Sequence, residues 1–170
     1  MASGTSTTPF TGVRLTVSSP LPFDDVIDRL RKAMGQSSLP ELVRLAQQPI
    51  TEAEFVKTVQ ERFVGESDFM LFAELDHGGW LSQFGIHRRV LRWILGNPLL
   101  AITMIRHDIT AGLFAPVELL ITDDGNGRGA TLTYARPSSL IVVVENPPLR
   151  AAAEKLDAKL DALVARVVSP

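Results

Sequence analysis

Arg88-Arg89-Val90-Leu91-Arg92-Trp93-Ile94-Leu95-Gly96-Asn97-Pro98 is the stretch that decides the fold. From Val90 to Leu95 the side chains alternate, with Leu91, Trp93 and Leu95 on one side and Val90, Arg92 and Ile94 on the other. Both sides are mostly apolar, as in a strand buried within a sheet. Gly96 permits the backbone to turn, Asn97 is held extended by the proline after it, and Pro98 suits the first position of a helix. The asparagine side chain is then the helix cap. Leu99 to Ile105 is apolar nearly all round, which predicts a short helix enclosed by the fold, with Arg106 and His107 at its negative end.

Upstream, Val13, Leu15 and Val17 alternate with Arg14 and Thr16 and predict a first strand that stops at Ser18-Ser19-Pro20. An amphipathic helix follows from Phe23 to Met34. Phe23, Val26, Ile27, Leu30 and Met34 share a face, acids open it, bases close it, and Gly35 ends it. Leu39–Gln48 and Thr51–Phe63 read as two inserted helices separated by Pro49, the second begun by a Thr51/Glu54 capping box. Phe69 to Leu75 is a second strand, Asp76-His77-Gly78-Gly79 the turn that ends it, and Trp80–Phe84 one helical turn.

Downstream, Val117–Thr122 and Ala130–Tyr134 flank the acidic, glycine-rich loop Asp123–Gly127 and form an antiparallel hairpin. Leu140 to Val144 is β-prone and reads as an edge extension. Asn146 and Pro147 begin a last helix whose stripe is Leu149, Ala152, Leu156, Leu160, Leu163 and Val167. The class is therefore α+β: an antiparallel sheet of about five strands in β-α-β-β-β-β-α order, helices on one face, and a helical insertion. Residues 1–10 read as a disordered tail and 11–170 as a single domain, with 39–65 the insertion. Met70, Phe72, Val90, Ile94 and Leu120 point to the face opposite the long helices, so either a partner subunit or the inserted helices must cover them.

The 170 residues carry a formal charge of -2 and no cysteine. The balance leaves no electrostatic footprint for nucleic acid, and the Arg88/Arg89/Arg92 cluster has no interleaved exposed aromatics. Disulfides, cysteine-ligated zinc and thiol catalysis are excluded. Neither a membrane-length apolar run nor a signal core is present, so a cytoplasmic setting without a membrane partner is expected.

Chemistry-bearing residues are few. Asp76 and His77 can form an acid–base pair if the turn bends them inward, because neighbours on an extended strand point to opposite faces. The bland alternative has His77 fixing its own turn. Asn97 is either a simple cap or, with Gly96 and the helix amides, a contact for an anion. Arg92 either snorkels outward or offers its fork to a carboxylate ligand. Tyr134 is the only tyrosine, either a satisfied core hydroxyl or a ligand contact. His77, His87 and His107 share no metal-ligand spacing, and no metal or other cofactor is expected.

The motifs Glu74-Leu75-Asp76-His77, Ile94-Leu95-Gly96-Asn97-Pro98, Phe114-Ala115-Pro116-Val117-Glu118-Leu119-Leu120 and Thr133-Tyr134 with Pro137 occur in that order. In this the chain resembles the domain-of-unknown-function family 302 from Val13 to Val167, interrupted by the segment Leu39 to Gly65. The resemblance implies a β-α-β-β-β-β-α fold of the TATA-binding-protein-like class and a homodimer, and it implies no established chemistry. Phe114-Ala115-Pro116 departs from the family pattern, which has leucine directly before the proline.

The leading functional expectation is a small-molecule-binding domain, for an apolar or anionic ligand, with one pocket where Asp76 and His77 meet Gly96, Asn97, Arg92 and Tyr134 at a common rim. The first alternative is an enzyme acting on an apolar metabolite, with His77 as general acid or base, Asp76 orienting it and Asn97 stabilising charge. The second is a structural homodimer without a ligand.

Overall fold

The computed structural model describes residues 4–170; the part of the expected tail at residues 1–3 lies outside them. Five strands form one antiparallel sheet: β1 (Arg14–Ser19), β2 (Met70–Asp76), β3 (Val90–Gly96), β4 (Val117–Asp123) and β5 (Ala130–Ala135), in spatial order β1-β5-β4-β3-β2. Among the described residues there are seven α-helices: α1 (Phe23–Ala33), α2 (Leu39–Ala46), α3 (Glu52–Arg62), α4 (His77–Leu81), α5 (Pro98–Ile105), α6 (Pro137–Ile141) and α7 (Pro147–Val168). The α+β class, the antiparallel sheet and the element order match the expectation from the sequence.

The strand read as central does lie inside the sheet, between β2 and β4. Antiparallel partners share a face, so the register sorts the side chains. Trp93 pairs with Leu119, Leu91 with Ile121, Ile121 with Leu132, and Leu132 with Val17. These point towards α1 and α7, whose Val26, Leu30, Leu160 and Val164 complete the main core. On the reverse face one row runs Thr16, Thr133, Leu120, Arg92, Leu75 across all five strands. A parallel row holds Ser18, Thr131, Thr122 and Val90. The reverse face is thus hydroxyl-rich over β1 and β5 and apolar over β2 and β3, and only part of it requires cover.

The inserted helices supply part of that cover. Leu42, Leu45, Val59 and Phe63 pack on Met70 in a second cluster, with Phe72 and Leu99 at its margin. The seam is made by two glycines. A Cβ on Gly35 would sit 1.6 Å from the Phe63 carbonyl oxygen, and one on Gly65 would sit 2.4 Å from the Ala33 carbonyl oxygen. Their amides donate at 2.9 and 3.1 Å to the Phe69 carbonyl, closing the insertion where it leaves and rejoins the domain.

Several local expectations change. Leu71 and Ala73 pair with the consecutive residues Leu95 and Ile94, so Phe72 is the extra residue of a β-bulge. Glu74 is thereby swung to the helix face, where it meets Arg31 of α1 at 2.8 Å, and the uniform alternation read from Phe69 to Leu75 breaks. The Asp76–Gly79 turn is the start of α4, because Asp76 caps it. Leu140–Val144 is no edge strand: Pro137 opens α6, which carries Leu140, and Val144 is exposed. Helix α5 is not enclosed. Met104 is buried while Ile102 faces solvent, so its all-round apolarity reflects more than core packing.

Candidate functional site

The expected common rim does not form. Asp76 stands opposite Leu91 and Met70 opposite Gly96, so the Asp-His and Gly-Asn-Pro motifs occupy opposite ends of the β2–β3 ladder. Six residues of extended strand separate them, about 20 Å.

At the first end, Asp76 is consumed as the cap of α4, its Oδ1 accepting from the Gly79 amide at 3.0 Å. His77 turns instead to Trp80: the indole Nε1 donates to its Nδ1 at 3.3 Å, with the rings edge-on at 5.8 Å. No hydrogen bond joins His77 to a carboxylate among the described residues. The adjoining hollow, about 310 Å³, is lined by Asp76, His87, Arg88 and Arg89. Both arginines are engaged. Arg88 meets Asp123 at 2.6 Å, and Arg89 forks the Asp24 carboxylate at 2.7 and 2.6 Å while lying 4.2 Å over the Phe23 ring. That fork holds the Asp24 carboxyl below its ordinary range.

At the other end, Asn97 is buried and both ends of its amide are used. Its Oδ1 accepts from the Leu99 amide at 2.8 Å and its Nδ2 donates to the Asp68 carbonyl at 3.0 Å. Gly96 is closely packed, since a Cβ there would lie 3.0 Å from the Pro116 Cβ and 3.1 Å from the Phe72 ring, so a side chain would require those neighbours to give way. Beside this contact is an apolar hollow of about 210 Å³, lined by Phe72, Gly96, Asn97, Leu100, Met104, Pro116 and Leu156 among others. Two motifs separated in sequence, Gly96-Asn97-Pro98 and Ala115-Pro116-Val117, both line it.

Tyr134 faces the helices, and its hydroxyl donates to Asp161 of α7 at 2.6 Å. Burial first, and then the neighbouring Asp161, push the phenol well above its ordinary pKa of 10.0.

Arg92 is on the reverse face. It forks Glu118 of β4, with its Nε 3.0 Å from the carboxylate. This pair lies along a groove of about 660 Å³. Its floor is the row Arg92, Leu120, Thr133 together with Arg14, Ala135 and Glu118. Its walls are apolar, formed by Leu113, Phe114 and Pro116 together with Val13, Pro137 and Leu140. Phe10 lies edge-on to Phe114, 6.0 Å between centroids. The groove and the small apolar hollow share Pro116 and Val117.

Of the six expected site residues, Gly96 and Asn97 line one hollow, Arg92 lines the groove, Tyr134 borders the groove while its hydroxyl turns away to Asp161, and Asp76 lies at a third place, next to His77. Sequence reading passed over Arg14, Glu118, Leu120 and Thr133. A signal was present in Arg92 and Glu118, each a charge flanked by apolar residues within a strand. Among the described residues no three His, Asp or Glu side chains gather at one point where a metal could bind.

The family model for the domain of unknown function DUF302 matches residues 43–167. The chain belongs to that family. A search of curated proteins finds no match. One solved structure, the crystal structure of an uncharacterised conserved DUF302 protein from Bacillus stearothermophilus, is similar with a TM-score of 0.62 at 18% identity, covering 91% of this chain and 97% of that one. At that identity the likeness speaks for the DUF302 fold and for nothing chemical. It covers most of the chain, whereas the family model begins only at residue 43 and so omits β1 and α1.

Proposed function

We propose that this DUF302 domain, residues 11–170 with the insertion at 39–65, binds a small molecule on the reverse face of its sheet. The observation that supports this is the groove of about 660 Å³, apolar in its walls and crossed by the Arg92–Glu118 pair. Ligand sites typically have volumes of about 300–1,000 Å³ and combine an apolar lining with a few converging polar groups. The expected site is thereby moved from the Asp-His turn to the groove and the hollow beside the Gly-Asn-Pro junction. An acid–base role for His77 and Asp76 finds little support, since each is held by a different neighbour.

A second reading is a homodimer formed through the same face. Val90, Ile94 and Leu120 are only partly buried there and Leu75 is 38% exposed. A second copy would cover them across a two-fold axis. Native mass spectrometry of the purified protein addresses both readings. A monomer or dimer carrying a small bound mass that disappears in Leu120→Trp supports the groove. Dimers without added mass that dissociate in Leu75→Glu support the second reading, and bare monomers at micromolar concentration count against both.

A further inference from the structure

The charge of the groove specifies the class of ligand. Its lining contains three charged side chains: Arg14, Arg92 and Glu118. Arg92 and Glu118 neutralise one another, the guanidinium Nε and a terminal nitrogen each meeting a different carboxylate oxygen. Arg14 has no ion pair and no side-chain hydrogen bond among the described residues. It stands on edge strand β1, opposite Ala135 on the groove floor. The lining therefore carries one uncompensated positive charge, placed at one end. Around it the surface is apolar: Val13, Leu113, Phe114, Pro116, Leu120 and Leu140.

At the far side, Pro116 separates the groove from the small hollow formed by Phe72, Leu100, Met104 and Leu156. From β1 to β4 the sheet spans two strand spacings, about 10 Å. A ligand that satisfies both ends has one anionic head and an apolar body long enough to cross that width. We infer that the groove binds a monoanionic amphiphile, its head on the Arg14 guanidinium and its tail running past Glu118 to the Pro116 rim. The assignment rests on the groove being a ligand site, and adds to it the sign and position of the charge. An Arg14 guanidinium offers paired donors to a carboxylate or to a sulfate, so the chemistry selected is the anionic oxygen group itself.

Decanoate, decanol and decylamine are the probes, titrated calorimetrically at low ionic strength. Decanoate should bind about tenfold more tightly than decanol, as expected when a charge-assisted bond is added, and decylamine more weakly than either. Arg14→Gln should bring decanoate down to the affinity of decanol and leave decanol unchanged, and Arg14→Lys should restore most of the preference. Leu120→Trp and, independently, Thr133→Trp should fill the groove and abolish binding of all three, with unchanged circular dichroism showing that each variant is folded. Equal affinities for decanoate and decanol, or a preference that survives Arg14→Gln, overturn the charge assignment while leaving the groove standing. Binding that survives both tryptophan variants, or absence of binding by every probe, overturns the groove as well.

Discussion

The two faces of the sheet are made from the same strands and differ in what they are asked to do. On the helix face Trp93, Leu95, Leu119, Ile121 and Leu132 are all fully buried. One residue away in each strand, Arg92, Ile94, Leu120 and Thr133 are half exposed, and Glu118 is exposed. A strand changes face at every residue, so neighbouring positions sample two environments with an unchanged backbone. The contrast teaches that burial, which stabilises the fold, is concentrated on one side, leaving the other free to carry a charged pair and a groove at little cost in stability.

The largest effect should separate adjacent leucines. Leu119→Ala removes a fully buried side chain and should cost about 3 kcal/mol or more of unfolding free energy in a urea titration. Leu120→Ala should cost under about 1 kcal/mol. Equal losses would erase the distinction between the faces. Met70 sharpens it, because it lies on the reverse face but beneath the inserted helices. Met70→Ala should therefore behave like the helix face, with a loss of about 2–3 kcal/mol. A small loss would show that the insertion is not packed there.

Tyr134→Phe removes the bond to Asp161 on the helix side and should cost about 1 kcal/mol at neutral pH. The pH dependence has a definite sign. The phenol's folded pKa is raised above its ordinary 10.0, so the folded chain retains the proton that the unfolded chain releases. Its stabilising contribution is complete below pH 10 and declines as pH rises above it. Thermal melts at pH 9 and pH 11 should show a smaller loss in Tyr134→Phe than in the parent. The smallest effect is expected at Arg92→Ala, which breaks a pair whose partners are both more than a third exposed. A change under about 0.5 kcal/mol is predicted, and a loss like that of Leu119→Ala would make Arg92 a structural residue.

Much of the fold was legible because local and long-range signals agreed. Gly96-Asn97-Pro98 ends β3, caps α5 and starts it, as the residue types require, and Asn146-Pro147 repeats the device at α7. The Phe72 bulge was hidden, since an inserted residue leaves no composition mark and inverts the phase of everything after it. Leu140–Val144 misled for a related reason: β-branched composition suits a strand, but Pro137 at a helix start and Asp157, accepting from the Ser138 amide at 2.8 Å, select α6.

The candidate site was less legible than the fold. Asp76-His77 drew notice as a polar pair at a turn, yet strand register alone decides which turns meet, and the antiparallel β2–β3 ladder puts this one at the wrong end. The groove is assembled from single residues of four strands, Arg14, Arg92, Glu118 and Thr133, none of which forms a local motif. Only the charges of Arg92 and Glu118 among apolar strand residues hinted at it.

The most direct test of the division between the faces is amide chemical-shift mapping by NMR during titration with decanoate. Shifts should concentrate at residues 12–16, 92, 113–120 and 133–140, with the helix-face amides of α1 and the Asp76–Leu91 region unmoved. Shifts centred on residues 76–91, or spread evenly over α1 and α7, would contradict the assignment of binding to the reverse face.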